Sequence, residues 1–135
     1  MNIAIRYYTK GGNTKKLADA IAAELNIEAK SIGTPLEEKV DVLFLGSSVY
    51  AAHLVGEVKK YIKDNKDKIG KIVNFSTAAI LKSTYAGVKK VCEKNGVLLD
   101  EKNFACKGSF GPMNKGKPNE EDLANVKKFA REIVG

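Results

Sequence analysis

The chain predicts an open, doubly wound α/β fold: a parallel sheet with helices on both faces. Three observations carry this expectation. Apolar residues switch repeatedly between a period of two and helical spacing, one strand is apolar almost throughout, and short glycine- or proline-bearing turns separate the segments. The 135 residues match one domain, taken as residues 1–135. With 44% hydrophobic and 29% charged residues, the chain can bury a continuous core and lacks the composition of a disordered one.

Ile3-Ala4-Ile5-Arg6-Tyr7-Tyr8 reads as the first strand and runs into Gly11-Gly12. Leu17, Ile21 and Leu25 then take helical spacing with Ala18 and Ala22 beside them, while Lys15, Lys16, Asp19 and Glu24 fall largely on the other face. Ile27-Glu28-Ala29-Lys30-Ser31-Ile32 alternates as a second strand near the edge, closed by Gly33-Thr34-Pro35. Val40-Asp41-Val42-Leu43-Phe44-Leu45-Gly46 is nearly continuous in apolar residues, as a central parallel strand covered on both faces must be.

Leu54, Val58, Tyr61 and Ile62 return to helical spacing, and Ile72-Val73-Asn74-Phe75 forms the fourth strand after Gly70. Tyr85, Val88, Val91 and Cys92 mark a helix that Asn95-Gly96 stops, since a left-handed residue is easily accommodated there. Val97-Leu98-Leu99 and Phe104-Ala105-Cys106 make an interrupted last strand. Pro118-Asn119-Glu120-Glu121-Asp122 opens the final helix with an N-cap and early carboxylates, and Leu123, Val126, Ala130 and Ile133 face inward. Five strands thus alternate with about four helices, joined by right-handed crossovers.

Several function classes drop out. The longest purely apolar run, Val42-Leu43-Phe44-Leu45, is far short of the roughly 20 residues that span a bilayer, and Arg6 interrupts any signal-peptide core. A cytoplasmic location is the expectation. Cys92 and Cys106 form no disulfide framework or metal-ligand set, and a single histidine excludes a histidine-rich metal site. Both thiols are expected reduced and buried.

Ligands of such sheets bind beyond the carboxyl ends of the strands, where strand order reverses. Thr9-Lys10-Gly11-Gly12-Asn13-Thr14 lies there, and its hydroxyl, amide and backbone donors converge on a helix N-terminus. That is phosphate-cradle chemistry, or else an ordinary strand-to-helix turn with a polar cap. The ATP-hydrolysing and dinucleotide glycine patterns are absent. After the third strand come Ser47, Ser48, Val49, Tyr50, Ala51, Ala52 and His53. Tyr50 is an aromatic beside a ligand or a half-buried core residue; His53 is a proton donor near neutral pH or simply exposed.

The fourth strand exits through Ser76, Thr77, Ala78 and Ala79, small residues with backbone donors, and Tyr85 follows at a helix start, where it packs or is exposed. Phe110 and Met113, in the loop after the last strand, either line a mouth for substrate or partner or seal the core.

The first of these turns resembles the phosphate loop of the flavodoxin family, Thr/Ser-x-Thr/Ser-Gly-Asn-Thr, and departs from it only at Gly11, where one hydroxyl donor is lost. Gly46-Ser47-Ser48-Val49-Tyr50-Ala51-Ala52 is similar to the Gly-Ser-x-x-Tyr-x-Gly segment of flavodoxin-domain proteins, including menaquinone-linked protoporphyrinogen dehydrogenases. The resemblance covers essentially the whole chain, including Gly116-Lys117-Pro118-Asn119-Glu120-Glu121-Asp122-Leu123 before the last helix.

It implies a flavodoxin-like three-layer sandwich with a five-stranded parallel sheet of order 2-1-3-4-5, FMN as cofactor, and electron transfer as function. The alternative is an FMN-dependent oxidoreductase acting on a quinone or a porphyrinogen-like substrate. The implied FMN contacts are Thr9, Lys10, Gly11, Gly12, Asn13 and Thr14 at the phosphate; Ser47, Ser48, Val49, Tyr50, Ala51 and Ala52 on one side of the ring; and Ser76, Thr77, Ala78 and Ala79 on the other. Ala51-Ala52 stands where the family has glycine. Forcing an L-residue into the left-handed region costs about 1–2 kcal/mol, and about 1.4 kcal/mol is about 59 mV for one electron. A less stabilised one-electron-reduced flavin is therefore expected.

Twenty-three Lys+Arg against 16 Asp+Glu leave a net charge of +7. Lys59, Lys60, Lys63, Lys66, Lys68, Lys71, Lys89-Lys90 and Lys127-Lys128 read mostly as solvated helix faces. The charge favours redox partner proteins with acidic docking surfaces, and also suits peripheral contact with anionic membranes. No aromatic residues interleave with the lysines as stacking on bases requires, so nucleic acid is not an expected partner. A phosphoryl-receiver reading fails, because Tyr7-Tyr8 and Ser47-Ser48 stand where it needs acidic residues.

Overall fold

A computed structural model describes residues 1–48, 54–78 and 83–135 of the chain. Its elements run β1 (Ile3–Tyr8), α1 (Asn13–Leu25), β2 (Ala29–Ser31), β3 (Val42–Ser48), α2 (Gly56–Asn65), β4 (Lys71–Ala78), α3 (Tyr85–Asn95), β5 (Leu98–Leu99), β6 (Phe104–Lys107) and α4 (Glu120–Val134). All strand pairs are parallel, and the order is β2-β1-β3-β4-β5. β5 pairs with β4 at Lys71 and Ile72, while β6 takes the same edge further on, from Phe75 to Ala78. The interrupted last strand and the 2-1-3-4-5 order are both present.

The two-residue period of the strands sorts the core into two layers. Ile5, Phe44, Val73 and Phe75 pack with Leu17 and Ile21 of α1 and Val126 and Ala130 of α4. Leu43, Leu45 and Ile72 pack on the other face with Val58 and Ile62 of α2 and Val88 and Cys92 of α3. Every residue of β3 is buried, as its continuous apolar character requires. Gly46 is needed because a Cβ there would lie 2.1 Å from the Phe75 ring.

The link from β2 to β3 crosses the sheet without a helix, held by polar ties. Arg6, buried in β1, donates through Nε to Thr34 O at 2.9 Å, and Tyr61 Oη donates to the same carbonyl at 2.9 Å. Leu36 N donates to Asn65 Oδ1 at 3.1 Å.

Helix ends follow the sequence with one addition. Gly96 (φ 70°) closes α3, and Asn119 and Asp122 form a reciprocal capping box on α4. Asn26 (φ 56°) ends α1, and Ile27 N then donates to Ala22 O. Ile27 thereby belongs to the helix end, so β2 is shorter than the alternation from Ile27 to Ile32 suggested. The same holds for Val97, whose N–H goes to Cys92 O. Val40 stands apart from β3 in an isolated bridge with Ile69.

Candidate functional site

β1 and β3 deliver their carboxyl ends to the start of α1. Gly12 stands at the N-cap with φ 90°, a conformation an L-residue adopts only under strain, and a Cβ there would meet nothing within 4 Å. Its N–H donates to Thr9 Oγ1 at 2.9 Å, which closes the turn. No side chain caps α1, and its first turn holds no carboxylate. α4 differs, with Glu120, Glu121 and Asp122 in its first turn. The first N–H groups of a helix lack intrahelical partners and carry the positive end of its dipole, so α1 offers those donors to an anion.

Beneath this turn three buried hydroxyls meet. Thr14 Oγ1 lies 2.7 Å from Ser48 Oγ and 2.9 Å from Thr77 Oγ1, and the latter two are 3.4 Å apart. Asn13 Nδ2 donates to Ser109 O at 2.9 Å, so the loop after β6 is tied to the loop after β1.

The predicted site residues therefore divide. Thr9, Gly11, Gly12, Asn13 and Thr14 form one turn with Lys10 exposed on it, and Ser48 and Thr77 join Thr14 on the α1 face. Ser47 and Ser76, adjacent in sequence to those two, point to the opposite face. Ser76 Oγ there accepts from Thr84 N at 3.3 Å. Ser47 is 1% exposed, and its Oγ has no hydrogen-bond partner among the described residues. Ala78 O accepts from Gly108 N at 3.0 Å. Val49, Tyr50, Ala51, Ala52, Ala79 and His53 lie outside the described residues.

Other candidates resolve as well. Tyr85 Oη donates to Asp100 O at 3.3 Å, a packing role at the base of α3. Phe110 and Met113 do not seal the core, being 67% and 40% exposed. Both cysteines are free; Cys92 is buried as expected, whereas Cys106 is only half-buried. Burial pushes the Cys92 thiol up to about 11, aided by the Glu93 charge. Burial likewise raises Cys106 to about 12, the Asp122 carboxylate adding to it and Lys117 opposing. Neither is a reactive thiolate at neutral pH.

A separate cavity of about 460 Å³ opens between residues 7–9, residues 31–33 and the α2 side chains Glu57, Lys60, Tyr61 and Asp64. It meets the turn only at Thr9. Among the described residues there is no cluster of potential metal ligands and no helix long and apolar enough to cross a membrane. The contacts across the site, Asn13 with Ser109 and Thr14 with Thr77, carry no sequence signal beyond the strand alternation that places Ser48 and Thr77 on the α1 side.

A parallel sheet of order 2-1-3-4-5 with an uncapped helix start at its central crevice defines a flavodoxin-like α/β protein. Comparison with known proteins agrees. The model of the flavodoxin domain family matches residues 4–84. The chain is 32% identical, over 137 aligned positions and 90% of each chain, to the uncharacterized protein MJ0298 of Methanocaldococcus jannaschii. Among solved structures it is similar to a flavodoxin from the domain Archaea, with a TM-score of 0.81 and 16% identity over 98% of this chain and 96% of that one. Oxidised Flavodoxin 2 from Bacillus cereus gives 0.73 and 21%, covering 99% and 98%. Rubredoxin oxygen:oxidoreductase of Desulfovibrio gigas gives 0.73 and 13%, covering 96% of this chain and 34% of that one. The chain belongs to the flavodoxin domain family.

Proposed function

We propose that the chain binds FMN noncovalently and carries electrons between proteins, as a single flavodoxin-like domain over residues 1–135. One observation carries the reading: α1 begins at Gly12 with no side-chain cap and no carboxylate, at the crevice where strand order reverses. The donor set fits a phosphate monoester. Thr9, Lys10, Gly11, Gly12, Asn13 and Thr14 would hold the phosphate, with Ser48 and Thr77 supplying the hydroxyls behind Thr14.

Ser47, Val49, Tyr50, Ala51, Ala52, Ser76, Ala78 and Ala79 complete the proposed cofactor contacts, and the Ser47 hydroxyl, which has no partner among the described residues, supports a polar ligand near that end of β3. Bound FMN would supply redox chemistry that the side chains of this site do not. A net charge of +7 supports acidic redox proteins as partners. Two free thiols suit the reducing cytoplasm.

The test is a titration of the purified protein with FMN and, in parallel, with riboflavin, followed by flavin fluorescence. Saturable 1:1 quenching by FMN with at least about tenfold weaker binding of riboflavin is expected, since only FMN brings the charge-assisted contacts. Equal binding of the two, or none, overturns the reading. Anaerobic reduction of the complex and mixing with an acidic acceptor protein then tests electron carriage.

A further inference from the structure

We propose that the groove between α2 and α3 is the docking track for an acidic redox protein, whose carboxylates seat between two rows of lysines. The inference rests on the electron-carrier reading and adds the face that the partner contacts. Helical register sets the rows. On α2, Glu57, Lys60, Tyr61 and Asp64 border the cavity beside β1 and β2. At about 100° per residue, Lys59, Lys63 and Lys66 lie roughly 140° around the helix from that flank, on the side toward α3. Lys66 keeps helical backbone angles (φ −53°, ψ −33°) as the C-cap. On α3, Tyr85 reaches Asp100 at the β5 side. Gly87 packs the other way, where a Cβ would lie 3.0 Å from Leu54 Cβ just ahead of α2. Lys90 and Lys94 follow Gly87 at i+3 and i+7 and share its flank.

These five lysines are exposed, and none forms an ion pair or a side-chain hydrogen bond among the described residues. The carboxylates of the two helices stand on their outer flanks. Glu57 and Asp64 face the cavity, Asp64 being paired with Lys60, and Glu93 follows Tyr85 on the β5 side of α3. Asp67 lies in the turn past the end of α2. Counted over whole elements, α2, the turn Lys66–Lys68 and α3 carry eight lysines against four carboxylates, a net +4. On the opposite face of the sheet α1 and α4 carry five cations against six carboxylates, a net −1.

Like charges at i and i+4, as Lys59 with Lys63 and Lys90 with Lys94, destabilise a helix. A lysine in the last turn complements the helix dipole, which accounts for Lys63 and Lys94. Lys59 and Lys90 lie earlier in their helices, where no described carboxylate faces them. A partner that brings carboxylates into the groove supplies the missing counter-charge. The track also leads to the right place: α2 and α3 start beyond the carboxyl ends of β3 and β4, the end of the sheet that carries the Gly12 turn.

The surface chemistry selects a protein over the other polyanions. Among the described residues the large exposed hydrophobic side chains are Met1, Leu98, Phe110 and Met113, none of them on α2 or α3, so the face lacks the apolar groups that insert into a bilayer. Of the aromatics on the two helices, Tyr61 is buried and Tyr85 is engaged with Asp100, which leaves no ring for bases to stack on.

The test is amide chemical-shift mapping of the ¹⁵N-labelled chain, without flavin, titrated with a plant-type ferredoxin as the acidic redox probe and with cytochrome c as the basic one. Saturable shifts centred on α2 and α3 are expected with ferredoxin and not with cytochrome c. Lys59→Glu/Lys90→Glu should weaken ferredoxin binding at least about tenfold. Lys127→Glu/Lys128→Glu on α4 changes the net charge equally, but from beyond a Debye length, and should weaken it less than about twofold.

Shifts centred on α1, α4 or residues 107–117, no saturation, an equal response to cytochrome c, or equal weakening by the two variants would each overturn the proposal. So would saturable binding to phosphatidylglycerol vesicles or to single-stranded DNA in place of ferredoxin. A chain that gives the expected shift map without binding FMN loses only the cofactor reading, and one that binds FMN without the map loses only the docking face.

Discussion

The side-chain amide of Asn13 donates to the backbone carbonyl of Ser109 at 2.9 Å, joining positions 96 residues apart in sequence. Gly108 packs against the same amide so closely that a Cβ there would lie 2.8 Å from Asn13 Nδ2. The turn after β1 and the loop after β6 are therefore tied to each other through Asn13. In Asn13→Ala the Ser109 carbonyl loses its partner, which costs about 1–2 kcal/mol. Urea unfolding should show that loss, and under the proposed FMN reading the FMN titration should show weaker binding.

Gly12 and Gly11 are adjacent and equally open, since a Cβ on either meets nothing within 4 Å. Only Gly12 has a positive φ, of 90°. Gly12→Ala should therefore destabilise by about 1–2 kcal/mol through backbone conformation alone, whereas Gly11→Ala should leave the unfolding midpoint within the error of measurement. Equal midpoints for the two variants would refute the assignment of strain to Gly12.

Much of the fold was legible because the strands are chemically distinct from the turns. β3 announced itself as a buried central strand by apolar continuity, and Asn119-Glu120-Glu121-Asp122 announced α4 by its capping residues. β2 was read too long, because Ile27 alternates correctly yet is consumed by the end of α1 after the left-handed Asn26. At the site, the glycines and hydroxyls of residues 9–14 were visible. The separation of Ser47 from Ser48 and of Ser76 from Thr77 was available from the two-residue period but needed a known sheet face. The Asn13–Ser109 tie was not readable, since it depends on where β6 ends relative to α1.

Gly46 faces Phe75 across β3 and β4, and a Cβ at 46 would approach three atoms of the ring at 2.1–2.7 Å. Both residues are buried in a fully packed strand pair, so neither backbone can retreat. Gly46→Ala should cost about 1–3 kcal/mol or more by overpacking. Phe75→Leu added to Gly46→Ala should recover part of that loss, a coupling that a double-mutant cycle measures directly.

The cysteines give a chemical readout of folding. With thiols pushed up to about 11 at Cys92 and about 12 at Cys106, almost no thiolate is present at pH 8. Iodoacetamide should label the native chain far more slowly than free cysteine and label the urea-unfolded chain at the ordinary rate. Fast labelling of Cys106 in the native protein would contradict its half-buried placement.

Asp100 links acid stability to one edge of the sheet. Burial acts to raise its pKa, but the hydrogen bond from Lys71 Nζ at 2.9 Å, the Lys102 backbone N–H at 2.9 Å and the charges of both lysines outweigh it and hold the carboxyl below its ordinary value. A depressed native pKa means the unfolded chain binds the proton first as pH falls. The stabilisation is therefore complete above the unfolded value of about 3.9 and disappears as pH drops through the lower native value. Lys71 is 36% exposed, so solvent screens part of the effect. Asp100→Asn should melt at a lower temperature than the parent at pH 7, and the gap should close below about pH 3.9. A gap that stays constant from pH 7 to the most acid point would assign the loss to packing instead of charge.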